Sequence, residues 1–252
     1  MNPEPDIVGY VAERIRRAVP LGGHVVPRST PVVSFGDHTR ARVATVGINP
    51  SSREFQDGRK RLLPDDAKRL ADLDLLEAES SSDLPDPAVA TVMKWCRNYF
   101  QHHPYTRWFD KLNALVRGAG ADFYDGTACH LDLVQWATDP VWGAFPKADA
   151  AVQAHLLAED APFLRRQLRA ANIELVLLNG RKVIEQVERL EIVTLQDRGS
   201  TPVGKQGKRS RRLEGFAADG TRYLGWTLNA SHSQTTDDNR AALAAWIGQV
   251  TG

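Results

Sequence analysis

The chain is poor in cysteine, with only Cys96 and Cys129 in 252 residues. Two thiols are too few for a disulfide framework or for a four-cysteine iron–sulfur cluster, so a reduced, cytoplasmic protein is expected. Long apolar runs are also missing. No stretch approaches the ~18 residues that cross a bilayer, and the start Met-Asn-Pro-Glu-Pro-Asp lacks a basic segment followed by an apolar one, so neither anchor nor leader is expected. Charge of one sign is lacking as well: 32 Lys+Arg against 31 Asp+Glu leave a formal +1, so there is no global basic field and any nucleic-acid affinity must be local. Several motifs are absent. Without Gly-x-Gly-x-x-Gly, a complete Gly-x-x-x-x-Gly-Lys-Ser/Thr or Gly-x-Ser-x-Gly, dinucleotide, phosphate-loop and nucleophile-elbow readings lose their support. Neither Cys-x-x-Cys nor His-x-x-x-His occurs, and Cys96, His102, His103, Cys129 and His130 do not fall at the spacings of a zinc site. No metal and no cofactor are expected.

What is present is a chain 42% hydrophobic and 25% charged, long enough for one sizeable α/β domain over residues 1–252. Ile7, Val8, Val11, Ile15 and Val19 form a helical stripe behind Glu4-Pro5-Asp6, which predicts a capping helix over 5–19. Val43-Ala44-Thr45-Val46 reads as a buried strand. After it, 51–63 is a charged loop, and 64–76, 88–100 and 108–116 carry helical patterns, giving a helical insertion around 64–118. Strands are then expected over 127–134, 173–178, 192–195, 212–216 and 221–228, with helices over 148–171, 181–190 and 236–250. Ala218-Asp219-Gly220 supplies a turn between the last two strands, and Thr235 or Thr236 a cap for the last helix. Strands alternating with helices predict a three-layer α/β/α sandwich around a mainly parallel sheet.

Two short stretches stand at the ends of strand-like runs: Gly47-Ile48-Asn49-Pro50-Ser51 and Asn229-Ala230-Ser231-His232-Ser233-Gln234. Gly47 permits unusual dihedrals or close backbone approach, and Pro50 cannot donate to a sheet, so the first strand stops abruptly and presents Asn49 at its carboxyl end. In an open α/β sheet that edge binds ligands, and the second stretch would deliver His232 to the same edge if its strand runs parallel.

At these residues the chain resembles the uracil-DNA glycosylase superfamily, closest to its mismatch-specific and single-strand-selective branches. Gly47-Ile48-Asn49-Pro50 is similar to the family's early Gly-x-Asn-Pro motif, whose Asn positions water. Ala230-Ser231-His232-Ser233 is similar to its late His-Pro-Ser motif, which stabilises the departing base and grips the strand, with Ser233 where proline is usual. The resemblance implies a DNA glycosylase-like hydrolase that cleaves the N-glycosidic bond of a damaged or deaminated base flipped from single- or double-stranded DNA. It implies catalytic roles for Asn49 and His232, and base contacts from Gly47, Ile48 and Pro50. Asp132 falls where the family reads the base with Asn, and an ionised Asp only accepts hydrogen bonds, which favours a base edge rich in N–H groups.

A flipped base needs an aromatic to stack on, and Phe55, inside the charged loop, is the nearest candidate. His130 is taken as one register step from Asp132 and is expected to point away from it. Ser51, Ser231, Ser233 and Gln234, with Lys205, Lys208 and Arg209 from the basic run 205–212, are candidate contacts to the nucleic-acid backbone, and Arg53, Arg59, Lys60 and Arg61 cluster after the first motif. A monomer with no membrane partner is expected. Two alternatives stay open: a non-catalytic nucleic-acid or nucleotide-binding module on the same fold, and a small-molecule nucleoside hydrolase.

Overall fold

The computed structural model describes residues 9–170, 172–201, 209–232 and 235–252. Ser233, Gln234, Lys205 and Lys208 lie outside them, as does the start of the capping helix. Contacts divide the chain into two compact units. The first comprises residues up to Phe35, Asn49–Pro104 and Asp132–Leu164; the second comprises Gly36–Ile48, Tyr105–Leu131 and Arg165–Gly252.

The second unit holds the sheet. Its strands are β1 (Val43–Gly47), β2 (Ala128–Asp132, whose last residue belongs to the first unit), β3 (Leu175–Asn179), β4 (Gln196–Ser200), β5 (Arg211–Phe216) and β6 (Arg222–Trp226), in the order β2-β1-β3-β6-β5-β4. β1, β3 and β6 run parallel, with Val46 opposite Leu178 and Asn179 opposite Trp226, while β5 is antiparallel to β6 and to β4. The chain is therefore α/β with a mixed, mostly parallel sheet. The unbroken burial of β1 and β3 is what parallel strands covered on both faces require. β4 is the opposite: all five residues are exposed on an edge strand, and a register shift between Asp197 and Ser200 together with Asp197 and Arg198 blunts that edge against further pairing.

Three helices of this unit are α3 (Thr106–Val116), α5 (Arg181–Arg189) and α6 (Asp237–Thr251). Thr236 caps α6 by accepting from the Asn239 amide, one of the two caps expected. Gly118, just past α3, lies so close to α6 that a Cβ there would meet the Ala244 carbonyl oxygen at 2.5 Å.

The first unit is mostly irregular around α1 (Gly9–Ile15) and α2 (Asp86–Arg97), and α4 (Ala150–Ala170) begins in it. Residues 64–76 do not form the helix their apolar spacing predicts. Only short turns appear, at Asp65–Ala67 and over 73–77, and the backbone between them pairs elsewhere: Ser29 bridges Asp72, Leu73 donates to the Arg28 carbonyl, and Ala71 accepts from the Thr30 hydroxyl. Pairing with a distant segment satisfies the amides that a helix would otherwise use. The strand expected at 192–195 starts later, at Gln196.

Candidate functional site

In the first unit, Asn49 is held by its amide nitrogen. Nδ2 lies 2.9 Å from Thr138 Oγ1, 3.0 Å from the Pro50 carbonyl and 3.3 Å from the Trp136 carbonyl. Two of these three partners are backbone carbonyls, which only accept, so chemistry fixes which end of the carboxamide is nitrogen. The third is consistent, because Thr138 Oγ1 spends its single hydrogen on the Pro140 carbonyl at 3.1 Å and is left to accept. Among the described residues no donor reaches Asn49 Oδ1, nor is that oxygen enclosed. The side chain thus presents a fixed acceptor outward.

The wall behind Asn49 is anchored in turn. Ser51 forms a parallel bridge with Thr138, and Val25 an antiparallel one. The Asp160 carboxylate accepts from the Gln135 amide at 2.8 Å and from Arg14 through Nη2 at 2.8 Å, with Arg14 Nε 2.6 Å from its other oxygen. Arg14 also lies over the Trp136 ring, 5.0 Å from its centroid. Burial pulls the Arg14 pKa down, opposed by Asp160. A fully buried ion pair of this kind tolerates loss of neither partner, and it fixes the segment whose carbonyl and hydroxyl orient Asn49.

Ser51 caps the turn Ser52–Glu54 by accepting from the Arg53 amide, so its hydroxyl serves structure here. That turn sends the next two side chains inward. Glu54 is buried and accepts a 2.6 Å hydrogen bond from the Tyr99 hydroxyl. Burial raises its pKa to about 7, against the Tyr99 bond and Arg69, which favour the charged form, while Asp132 adds to the rise. Phe55 is only 2% exposed. This corrects its expected role: the charged neighbours face solvent while the turn drives the ring into the core, and a buried ring cannot stack on a flipped base. Asp132 is buried too. Half of the basic cluster after the first motif is neutralised within its own unit, Arg61 by Asp57 at 2.7 Å and Lys60 by Asp139 at 2.6 Å.

In the second unit, Gly47 closes β1 without entering the left-handed region, so of the two uses expected for it unusual dihedrals are not the one realised. Because β1, β3 and β6 are parallel and in register, Gly47-Ile48 and the Asn229–His232 turn leave the sheet at the same end.

The turn is clamped by a residue just past the strand expected over 173–178. Asn179, 3% exposed at the end of β3, accepts through Oδ1 from the Ala230 amide at 2.8 Å and from Trp226 Nε1 at 3.0 Å, and donates through Nδ2 to Asn229 Oδ1 at 3.3 Å. Asn229 Oδ1 accepts from the Ser231 amide, Ser231 Oγ donates to the Trp108 carbonyl, and Arg240 of α6 donates to the Ala230 and Thr235 carbonyls. Gly180, next to Asn179, has φ +107°, which glycine alone adopts cheaply. The signal for this clamp was the Asn179-Gly180 pair itself, an amide followed by a residue free to turn. His232 is exposed on the clamped turn, its amide donating to the Asn229 carbonyl at 3.1 Å. Arg209 is exposed just before β5.

His130 is a satisfied core residue. It is 2% exposed, with Nδ1 2.7 Å from Thr45 Oγ1 and its ring edge-on to Trp108 and Phe109. Its expected orientation needs correcting as well. Side chains alternate along a strand, so residues two apart in β2, His130 and Asp132, share a face rather than oppose one another.

Asn49, Pro50, Ser51, Phe55 and Asp132 therefore belong to the first unit, and Gly47, Ile48, Arg209, Ser231 and His232 to the second. Among the described residues no group of three or more His, Cys, Asp or Glu is arranged to hold a metal, and no helix is long and apolar enough to cross a membrane. No protein-family model and no curated protein matches the sequence.

Proposed function

We propose that the chain is a DNA glycosylase-like hydrolase, a cytoplasmic monomer on a three-layer, uracil-DNA glycosylase-like fold, that cleaves the N-glycosidic bond of a damaged or deaminated base. The observation that carries this reading is the Asn49 carboxamide, whose nitrogen is pinned by two carbonyls and a spent hydroxyl so that its oxygen faces outward. Breaking the C1′–N bond sends the electron pair to the base and leaves an oxocarbenium-like sugar, which a water captures; the proton that water loses ends on the departing base anion, giving an abasic sugar and a neutral base. A pre-oriented acceptor suits the placing of that water, since the amide can accept its hydrogen bond without reorganising. An amide is too weak a base to take the proton itself. Further support comes from the parallel run of β1 and β6, by which Gly47-Ile48 and the Asn229–His232 turn leave the sheet of the second unit at the same end. The motif resemblance assigns His232 to the leaving base.

The test uses oligonucleotides carrying uracil, hypoxanthine or xanthine, with alkaline scission of the abasic product as readout. Wild-type protein is expected to cut at least one of them, and Asn49→Ala to lower kcat by about 10²-fold or more while binding persists. His232→Gln tests the leaving-group role separately. Absence of cleavage of all three bases, or an Asn49→Ala variant as fast as wild type, overturns the reading.

A further inference from the structure

The end of α2 and the turn after it carry a feature that hydrolysis does not use. Between Pro87 and Pro104 there is no Asp or Glu, while Lys94, Trp95, Arg97, Phe100, His102 and His103 all occur. The His102 ring, on an exposed residue, lies over half-buried Trp95 with centroids 4.7 Å apart and planes tilted by 31°. Phe100 is half-buried, edge-on to buried Tyr99 at 5.1 Å. Lys94 is exposed and Arg97 half-buried, and neither forms an ion pair among the described residues, in contrast to Lys60 and Arg61. Cations in a last helical turn complement the helix dipole, but that does not explain an aromatic stack kept at the surface beside them.

We propose that this surface is a stacking platform for single-stranded nucleic acid, on which an unpaired base extends the Trp95–His102 stack and Lys94 takes an adjoining phosphate. Rings beside uncompensated cations are the combination that single strands require, because every base has a π-face and every nucleotide a phosphate. Base pairs in a duplex already cover those faces. Burial first, then His103 and Lys94, lower the His102 pKa, so its ring tends to the neutral form that stacks on a base. The platform goes beyond the glycosidic reading, since it requires no cleavage.

The test measures anisotropy of a fluorescein-labelled, undamaged thymidine 20-mer titrated with the full chain across a salt series, beside its duplex and beside vesicles of anionic phospholipid. The single strand is expected to bind better than the duplex. Trp95→Ala and His102→Ala should each weaken it about tenfold, and Lys94→Gln should lower the salt slope by about 0.7. Trp95→Phe should restore most of the binding, and exposed His102 keeps the test decisive if Trp95→Ala fails to fold. Wild-type failure to bind, duplex preference, variants that bind like wild type, or binding to vesicles but not to the strand would each overturn the platform. Lesion cleavage with platform variants indistinguishable from wild type sinks this proposal alone. Trp95-dependent binding without cleavage of any lesion sinks only the glycosylase reading.

Discussion

Replacing Glu54 by Gln should make the fold more stable in mild alkali and remove a specific part of its pH dependence. The Glu54 carboxyl is buried, with burial raising its pKa from the ordinary 4.5 to about 7. Below about 4.5 the folded and unfolded chains both hold the proton, so the residue contributes no slope. Between 4.5 and 7 the unfolded chain has released it and the folded chain has not, so stability falls as pH rises; above 7 both are ionised and the loss is complete. At about 1.4 kcal/mol for each pH unit in that window, the full loss is ~3 kcal/mol, an upper figure because water penetration softens burial.

The carboxamide introduced by Glu54→Gln keeps an acceptor for the Tyr99 hydroxyl and never ionises. The assay is urea unfolding followed by tryptophan fluorescence at intervals from pH 4.5 to 8.5, comparing the two proteins at each pH. The advantage of Glu54→Gln over wild type should grow by ~2–3 kcal/mol across the range. Tyr99→Phe serves as the control: it removes a donor that favours the carboxylate, so it should carry the wild-type decline to higher pH. Parallel stability curves for wild type and Glu54→Gln would refute the argument, since they would mean that Glu54 ionises in the fold as it does in the unfolded chain.

Asp160→Ala leaves the Arg14 guanidinium buried without its partner and should cost about 3–5 kcal/mol in urea unfolding; a loss under 1 kcal/mol would show that water reaches Arg14. Asn179→Ala orphans the Ala230 amide and the Trp226 indole N–H and should cost about 2–4 kcal/mol. Amide exchange in 229–232 should rise in that variant while α6 stays protected, and unchanged exchange there would show that Arg240 alone holds the turn.

Much of the fold was legible because short-range physics writes it. The apolar runs over 173–178 and 221–228, the turn at Gly220 and the Thr236 cap each depend on neighbours a few residues away, and the structure places β3, β6 and α6 close to where those signals put them. The mostly parallel sheet followed from alternation of strands and helices. Residues 64–76 were misjudged because helical spacing is only a local preference, and pairing with 28–30 outweighed it. Phe55 was misjudged for a related reason: a loop rich in charge can still turn one ring inward, and the inward direction is set by a three-residue turn that composition does not reveal.

By itself the sequence marked the stretches that follow strands, because an apolar run that gives way to Gly-x-Asn-Pro or to a polar Asn-Ala-Ser-His segment loses both its burial and its pairing, and so it singled out Asn49 and His232 as chemical candidates. Tertiary structure alone decided how those groups are oriented. The partners that aim the Asn49 amide lie nearly ninety positions away, at Trp136 and Thr138. The partner that clamps the His232 turn lies about fifty away, at Asn179. The proton affinity of Glu54 is set by a hydroxyl forty-five residues distant and by burial. Hydrogen-bond direction and desolvation arise from groups brought together in space, and no local pattern along the chain encodes which groups those will be.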